Sequence, residues 1–324
     1  MQRLLSTTLV LGLLVATAAA FAVTEGLKLV KPAVTRTLIV SAARAAGRPQ
    51  ELKAFSPTCN CVTDRAYLRF WLRHADTLTL DVLDRERQVV ATLVDARRVH
   101  SKWNRFAWDG RTDQGSIAPD GSYQFRIHLA SQHRTILLPN RLVLDTKPPL
   151  VRQVMVVRDT FSPDGDGRAD AVRVKYRLDG PARALLYVGG QRVVQTRFRP
   201  VRGELPWFGK VDGRSLPQGT YRLRVAAVDQ AGNVTPLAKQ PVVRVHIHYI
   251  SLARPTITVK AGTRLGVGVQ TDAASYSWRL DGESGVESKQ LLVVRAPKRK
   301  GVYHLVVTAD GHSARARVVV RPRR

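Results

Sequence analysis

The stretch FSPDGDGRAD, Phe161 to Asp170, is echoed upstream by FSPTCNCVTD, Phe55 to Asp64. Each copy opens a segment of roughly a hundred residues that closes on a second shared phrase. That phrase is WDGRTDQGSIAPDGSYQFRI in the first segment, Trp108 to Ile127. In the second it is WFGKVDGRSLPQGTYRLRV, Trp207 to Val225. Pro119, Gly121 and Tyr123 recur as Pro217, Gly219 and Tyr221. A chain that repeats itself at domain length is a tandem array, so each copy must be a unit that builds its own core.

The period inside the units is two. Leu68, Phe70 and Leu72 alternate with Arg69, Trp71 and Arg73; Val172, Val174, Tyr176 and Leu178 alternate with Arg173, Lys175 and Arg177. Short alternating runs between Gly, Pro and Asp turns predict half-buried antiparallel strands. Residues 250–324 add six further strand-like runs, unlike the first two units in sequence, with Trp278 on a middle run where sandwiches often bury a Trp. The expected fold is all-β: tandem Ig-like or fibronectin-III-like β-sandwiches behind an N-terminal apolar helix. The expected organisation is a signal peptide or signal-anchor over 1–23, a tether with little rigid structure over 24–54 in which Thr37 to Gly47 could form a short strand or helix, and sandwiches over 55–149, 150–249 and 250–324.

The pattern W-D-G-R-x-D-x-G-x-x-x-P-x-G-x-Y resembles the Ig-like domain of the flagellar hook-capping protein, a module reused in secreted bacterial proteins. The resemblance covers the second half of each repeat. It implies that Trp108 and Tyr123 are core residues rather than catalytic ones. The hook-capping role does not carry over, since an apolar segment stands where that protein has its N-terminal half. Val228 to Pro236, VDQAGNVTP, is similar to a phrase common in bacterial Ig-like and fibronectin-III-like repeats.

Leu4 to Val23 is an apolar run behind Met1 and Arg3, and Ala18 and Ala20 fit a small-residue cleavage rule. The run is also about long enough to span a bilayer, so a cleaved signal and a retained anchor both remain open. Either reading exports the rest of the chain to the cell surface, membrane-anchored or secreted. Lys and Arg number 52 against 25 Asp and Glu, a net charge of +27. Such a surface attracts polyanions, although arginines also serve simply to solvate outer faces. The partners expected are an anionic cell-envelope polymer or an envelope protein, through the outward cations Arg173, Lys175, Arg177, Arg222 and Arg224. Nucleic acid is disfavoured by export and by the lack of an aromatic stacking platform.

The sequence holds no G-x-S-x-G, H-E-x-x-H, P-loop or Rossmann pattern, and the expectation is a non-enzyme with no cofactor other than calcium. The expected role is an adhesive or scaffolding stalk; an accessory module for a separate secreted hydrolase is the alternative. Asp164, Asp166 and Asp170 place three carboxylates in one tight turn, a candidate calcium loop, set against an Asp/Gly turn whose carboxylates bond neighbouring amides. The first copy has Thr58, Asn60 and Asp64 at these places and is not expected to bind. Cys59 and Cys61 stand where the second copy has Gly165 and Gly167. A disulfide across that pair is the favoured reading for an exported chain, with free thiols or an intermolecular bridge behind it. His246 and His248 fall on one face of a strand, but two His alone do not complete a zinc site.

Overall fold

Alternation decides which side chains face inward, and the computed structural model places them there. It describes residues 10–21, 31–45 and 48–323. The chain divides at Thr146/Lys147 into two compact units.

The first unit contains β1 (Val34–Ala45), β2 (Arg48–Glu51), β3 (Ala54–Phe55), β4 (Ala66–Leu72) and β5 (Asp76–Leu83). It continues with β6 (Val89–Val99), β7 (Lys102–Trp108), β8 (Gly121–Leu129) and β9 (Arg134–Leu144). The two sheets are β2-β1-β4-β7 and β3-β9-β8-β5-β6. Leu68, Phe70 and Leu72 from one meet Leu78, Leu80, Phe125 and Ile127 from the other in a single buried cluster.

The second unit holds two such clusters. Around the first lie β10 (Val151–Val156), β11 (Thr160–Phe161), β12 (Val172–Leu178), β13 (Arg183–Val188) and β14 (Gln191–Gln195). β15 (Arg202–Trp207), β16 (Lys210–Val211), β17 (Arg214–Ser215), β18 (Gly219–Val228) and β19 (Val243–Ile247) complete it. Its main sheets are β10-β12-β15 and β11-β19-β18-β13-β14. Around the second lie β20 (Ile250–Leu252), β21 (Thr256–Lys260), β22 (Arg264–Thr271) and β23 (Tyr276–Leu280). β24 (Glu283–Glu287), β25 (Leu291–Arg295), β26 (Gly301–Ala309) and β27 (His312–Arg321) follow, in sheets β20-β22-β25 and β21-β27-β26-β23-β24.

The repeated phrase is repeated chemistry. The Trp108 indole N–H donates to the Arg111 carbonyl at 2.9 Å, and that of Trp207 to the Lys210 carbonyl at 2.8 Å. The Tyr123 hydroxyl donates to Pro119 O, and the Tyr221 hydroxyl to Pro217 O. Phe55 packs on Trp108 at 5.2 Å and Phe161 on Trp207 at 5.6 Å, with interplanar angles of 56° and 58°. The opening stretch of each sandwich also switches sheets. β3 pairs parallel with β9, β11 with β19 and β21 with β27, all of them antiparallel topologies otherwise.

Two expectations are corrected. The described residues of the expected tether over 24–54 are not loose: β1 pairs antiparallel with β4 and β2, and Ala33, Ile39 and Leu52 enter the core, while 24–30 and 46–47 lie outside the described residues. The alternation of β1 is broken by a register shift between Thr35 and Leu38, where Arg36 takes φ 51°. A bulge adds a residue and so hides the period that identifies a strand. Trp278 is not at the centre of the third core. It shares the inward face of Tyr276 and Leu280 but is half-buried, lying across Gly285 of the edge strand β24. Residues 10–21 are helical. Among the described residues no helix is long and apolar enough to cross a membrane; both ends of the apolar run, 4–9 and 22–23, lie outside the described residues.

Asp76 ties β5 to the β8–β9 turn. It is 3 % exposed, and its carboxylate accepts from Thr77 N (2.7 Å), Ser131 N (2.8 Å) and Gln132 Nε2 (2.9 Å). Burial alone would raise its pKa, but the bonds from Ser131, Gln132 and Thr77 outweigh that and hold it below the ordinary 3.8. Asp76→Ala should therefore cost about 2–3 kcal/mol in denaturant unfolding at neutral pH. Because the folded pKa is depressed, the advantage of wild type is complete above the unfolded value. It shrinks as pH falls through the folded one. A gap between the two proteins that stayed constant into strong acid would refute this account.

Candidate binding surfaces

The outward residues of β12 are Arg173, Lys175 and Arg177, all exposed. They are not a free row of cations. Glu204 on β15 lies 3.9 Å from Arg173 Nη1 and 3.5 Å from Lys175 Nζ, while Arg177 sits opposite Arg202. Beside them is a shallow depression of about 640 Å³ lined by Gln153, Met155, Lys175, Arg177, Arg202 and Glu204.

Arg222 and Arg224 lie on β18, in the other sheet of the same sandwich. Arg222 is exposed and faces Arg244 across the ladder. Arg224 is half-buried, with an Nε that is enclosed and has no hydrogen-bond partner. The five expected cations therefore do not form one surface. Alternation tells which residues face out of a strand, but not which outward faces are shared.

A surface that the sequence reading missed lies on the first unit. On β4, Tyr67, Arg69 and Trp71 point away from the core; on β7, Trp103 and Arg105 do the same. The register sets Trp71 opposite Trp103 and Arg69 opposite Arg105. The two indoles meet edge-to-face at 5.8 Å and 89°. Each ring carries a guanidinium: Arg36 stands 5.7 Å from Trp71, Arg69 5.1 Å from Trp103 and Arg105 3.8 Å from Tyr67. Trp103 is 45 % exposed. This corrects the expectation that the chain lacks an aromatic platform. The signal was present as Y-x-R-x-W and W-x-R in one phase, but only the pairing of two strands far apart in sequence makes it a surface. Planar guanidinium on an indole or phenol face is attractive. Each arginine is thereby held in place with its N–H edge still able to bind an anion.

The loop after β11 separates the three aspartates. Asp170 accepts from Gly165 N (2.7 Å) and Gly167 N (2.8 Å), so it closes the loop on itself. Asp164 and Asp166 instead converge with Asp310 of the β26–β27 hairpin, one oxygen of each lying within 4.8 Å of the others. In the first copy Cys59 and Cys61 are joined, with an S–S distance of 2.06 Å. His246 pairs its Nδ1 with Thr220 Oγ1 at 2.8 Å and His248 its Nε2 with Ser251 Oγ at 2.9 Å; each ring is engaged locally.

No curated protein is similar in sequence to the chain. Among solved structures it is similar to the I-band fragment I67-I69 from titin: 11 % identity, 91 % of this chain and 100 % of that one, TM-score 0.31. It is also similar to the fibronectin(III)-like modules of Clostridium thermocellum CbhA, at 12 % identity over 65 % of this chain and 94 % of that one, TM-score 0.33. A third likeness is to SGBP-B of the Bacteroides ovatus mixed-linkage glucan utilization locus, solved with a mixed-linkage heptasaccharide. It has 12 % identity over 89 % of this chain and 71 % of that one, TM-score 0.21. Identities this low carry nothing about a ligand. Within the first sandwich, residues 68–133 match the family model of the FlgD Ig-like domain.

Proposed function

We propose that this is an exported, non-catalytic protein of the cell envelope, an array of Ig-like sandwiches that binds an anionic envelope polymer. The observation that carries the reading is the arginine-on-aromatic face of β4 and β7, in a chain of net charge +27. Export rests on the apolar run Leu4 to Val23. A polymer bearing carboxylate or phosphate groups supplies charge for Arg36, Arg69 and Arg105 and apolar ring faces for Trp71 and Trp103. Arginine forks favour such anions over isolated point contacts.

Binding of the purified full chain to polygalacturonate, to neutral dextran and to a single-stranded oligonucleotide tests the reading. Binding to polygalacturonate should exceed binding to dextran and fall steeply from low to high salt. Replacing Arg36, Arg69 and Arg105 together with Gln should weaken it by about tenfold or more. Replacing Arg173 and Lys175 with Gln should matter less, because Glu204 already neutralises part of their charge. Salt-insensitive binding, equal binding to dextran, or preference for the oligonucleotide would each overturn the proposal.

A further inference from the structure

We infer that the open edge of β25, in the third sandwich, takes an extended acidic segment of a partner protein as an added strand. β25 ends the sheet β20-β22-β25 and pairs on one side only, with β22. Two bonds fix its phase: Val269 N donates to Gln290 O and Ala296 N to Thr263 O, both at 2.8 Å. Bonded positions alternate in an antiparallel ladder, so Leu292 and Val294 turn their main-chain groups to β22. Leu291, Val293 and Arg295 turn theirs to the open side. The side chains of the same residues face out of the sandwich, Leu291 57 % and Val293 53 % exposed. Opposite them on β22 stand Gly268 and Gly266, so no side chain covers the sheet behind them. An incoming strand therefore meets unpaired N–H and C=O groups and apolar surface at the same positions, which is what strand addition uses.

The second sandwich shows a protected edge for comparison. There β15 ends the sheet β10-β12-β15, and Leu178 N donates to Val201 O at 2.7 Å. That phase turns the main chain of Arg202, Glu204 and Pro206 to the open side. Two of these are charged, and the third has no N–H to offer. Charge and proline are the usual means of blunting an edge strand. β25 places Leu291 and Val293 in the corresponding phase.

Charge selects the partner. Arg295 stands opposite Arg264 across the ladder, and Lys289 and Lys298 flank the strand, all four exposed. Like charges directly opposite are destabilising. The ion pairs among the described residues fall on Asp109, Asp81 and Glu204 and involve none of these cations. Asp281 and Glu283 border the same depression as Arg295 and Lys298 without pairing to them. A second copy would set cation against cation in a chain of net charge +27. A segment with apolar residues at alternate positions and carboxylates at its ends complements both the apolar centre and the basic ends of β25. This edge lies in a different sandwich from the arginine-on-aromatic face of β4 and β7 and does not depend on it.

The probe is the blocked, labelled peptide Asp-Glu-Thr-Val-Thr-Val-Glu, added to the full chain and read by anisotropy and by hydrogen exchange. Antiparallel to β25, it sets Glu against Arg295 and its two Val against Val293 and Leu291. The amides of Leu291, Val293 and Arg295 should exchange freely without peptide and slow by about tenfold or more with it. N-methylation of the two Val leaves the charge unchanged and should weaken binding by about tenfold or more. Val293→Pro should do the same from the protein side, because it removes an edge N–H that the β22 ladder does not use. Replacing Arg36, Arg69 and Arg105 with Gln should leave peptide binding unchanged. No binding at about 1 mM peptide, undiminished binding of the methylated peptide, or no slowing at the three amides would overturn the proposal. Self-association of the chain that Val293→Pro abolishes would overturn it in favour of a second copy.

Discussion

Replacing Trp108 with Ala should remove about 3–5 kcal/mol from the stability of the first unit. Trp108 is 1 % exposed and touches Phe55, Tyr123 and Phe125 with ring centroids 5.2, 4.9 and 6.4 Å away. Truncation leaves a cavity walled by those three rings, and it strands the Arg111 carbonyl that took the indole proton. Trp207→Ala should cost a similar amount in the second unit, because Phe161, Tyr221 and the Lys210 carbonyl stand in the same places. In scanning calorimetry each variant should lower one transition by roughly 10 °C and leave the other where it was. If either substitution moved both transitions equally, or neither, the two indoles would not be the centres of separate cores.

Gly209 and Gly213 lie four residues apart in the same phrase, and their replacement by Ala should have very different costs. Both hold left-handed backbone, φ 64° and 78°. At Gly213 an added Cβ meets nothing within 4 Å, so the cost is the conformation alone, about 1–2 kcal/mol. At Gly209 it would stand 2.5 Å from Pro163 Cγ and 3.2 Å from Ile247 Cδ1. A proline ring cannot rotate away, so Gly209→Ala should cost roughly 3 kcal/mol or more. Gly110, the matching residue of the first sandwich, faces Pro57 Cγ at 3.0 Å and should fall between them. Denaturant midpoints of the three variants give the order directly. Equal losses at Gly209 and Gly213 would mean that the close approach to Pro163 contributes nothing.

These glycines show why so much of the fold was legible. A backbone that must turn left-handed against a proline, Pro57 in the first copy and Pro163 in the second, demands the same residue types in both. The phrase therefore survived while the surrounding residues changed. The inward faces of β4, β12 and β18 could likewise be read from strict alternation. What escaped was everything that depends on pairing across the sheet. Trp71 and Trp103 read as two isolated outward residues until the β4–β7 register set them side by side. Arg224 counted as an outward cation, but its neighbours enclose its Nε. Asp310 lies in a different sandwich from Asp164 and Asp166, so no local motif could join it to them. Strand β1 was half legible: Thr37 to Gly47 reads as a short strand or a helix, and the bulge near Arg36 removes the period that would decide between them.

The parallel seams between early and late strands have a mechanical side. Tension between the two ends of the third sandwich would draw β21 and β27 past each other along their common axis. Their five paired positions, Thr256 with Arg317 through Lys260 with Arg321, would then bear the load together instead of opening like a zip. In the second sandwich the corresponding seam is two pairs long, Thr160 with His246 and Phe161 with Ile247. Under a steady pull the array should give way in order, the second sandwich yielding before the third, so that extension comes in steps while the last clasp still holds.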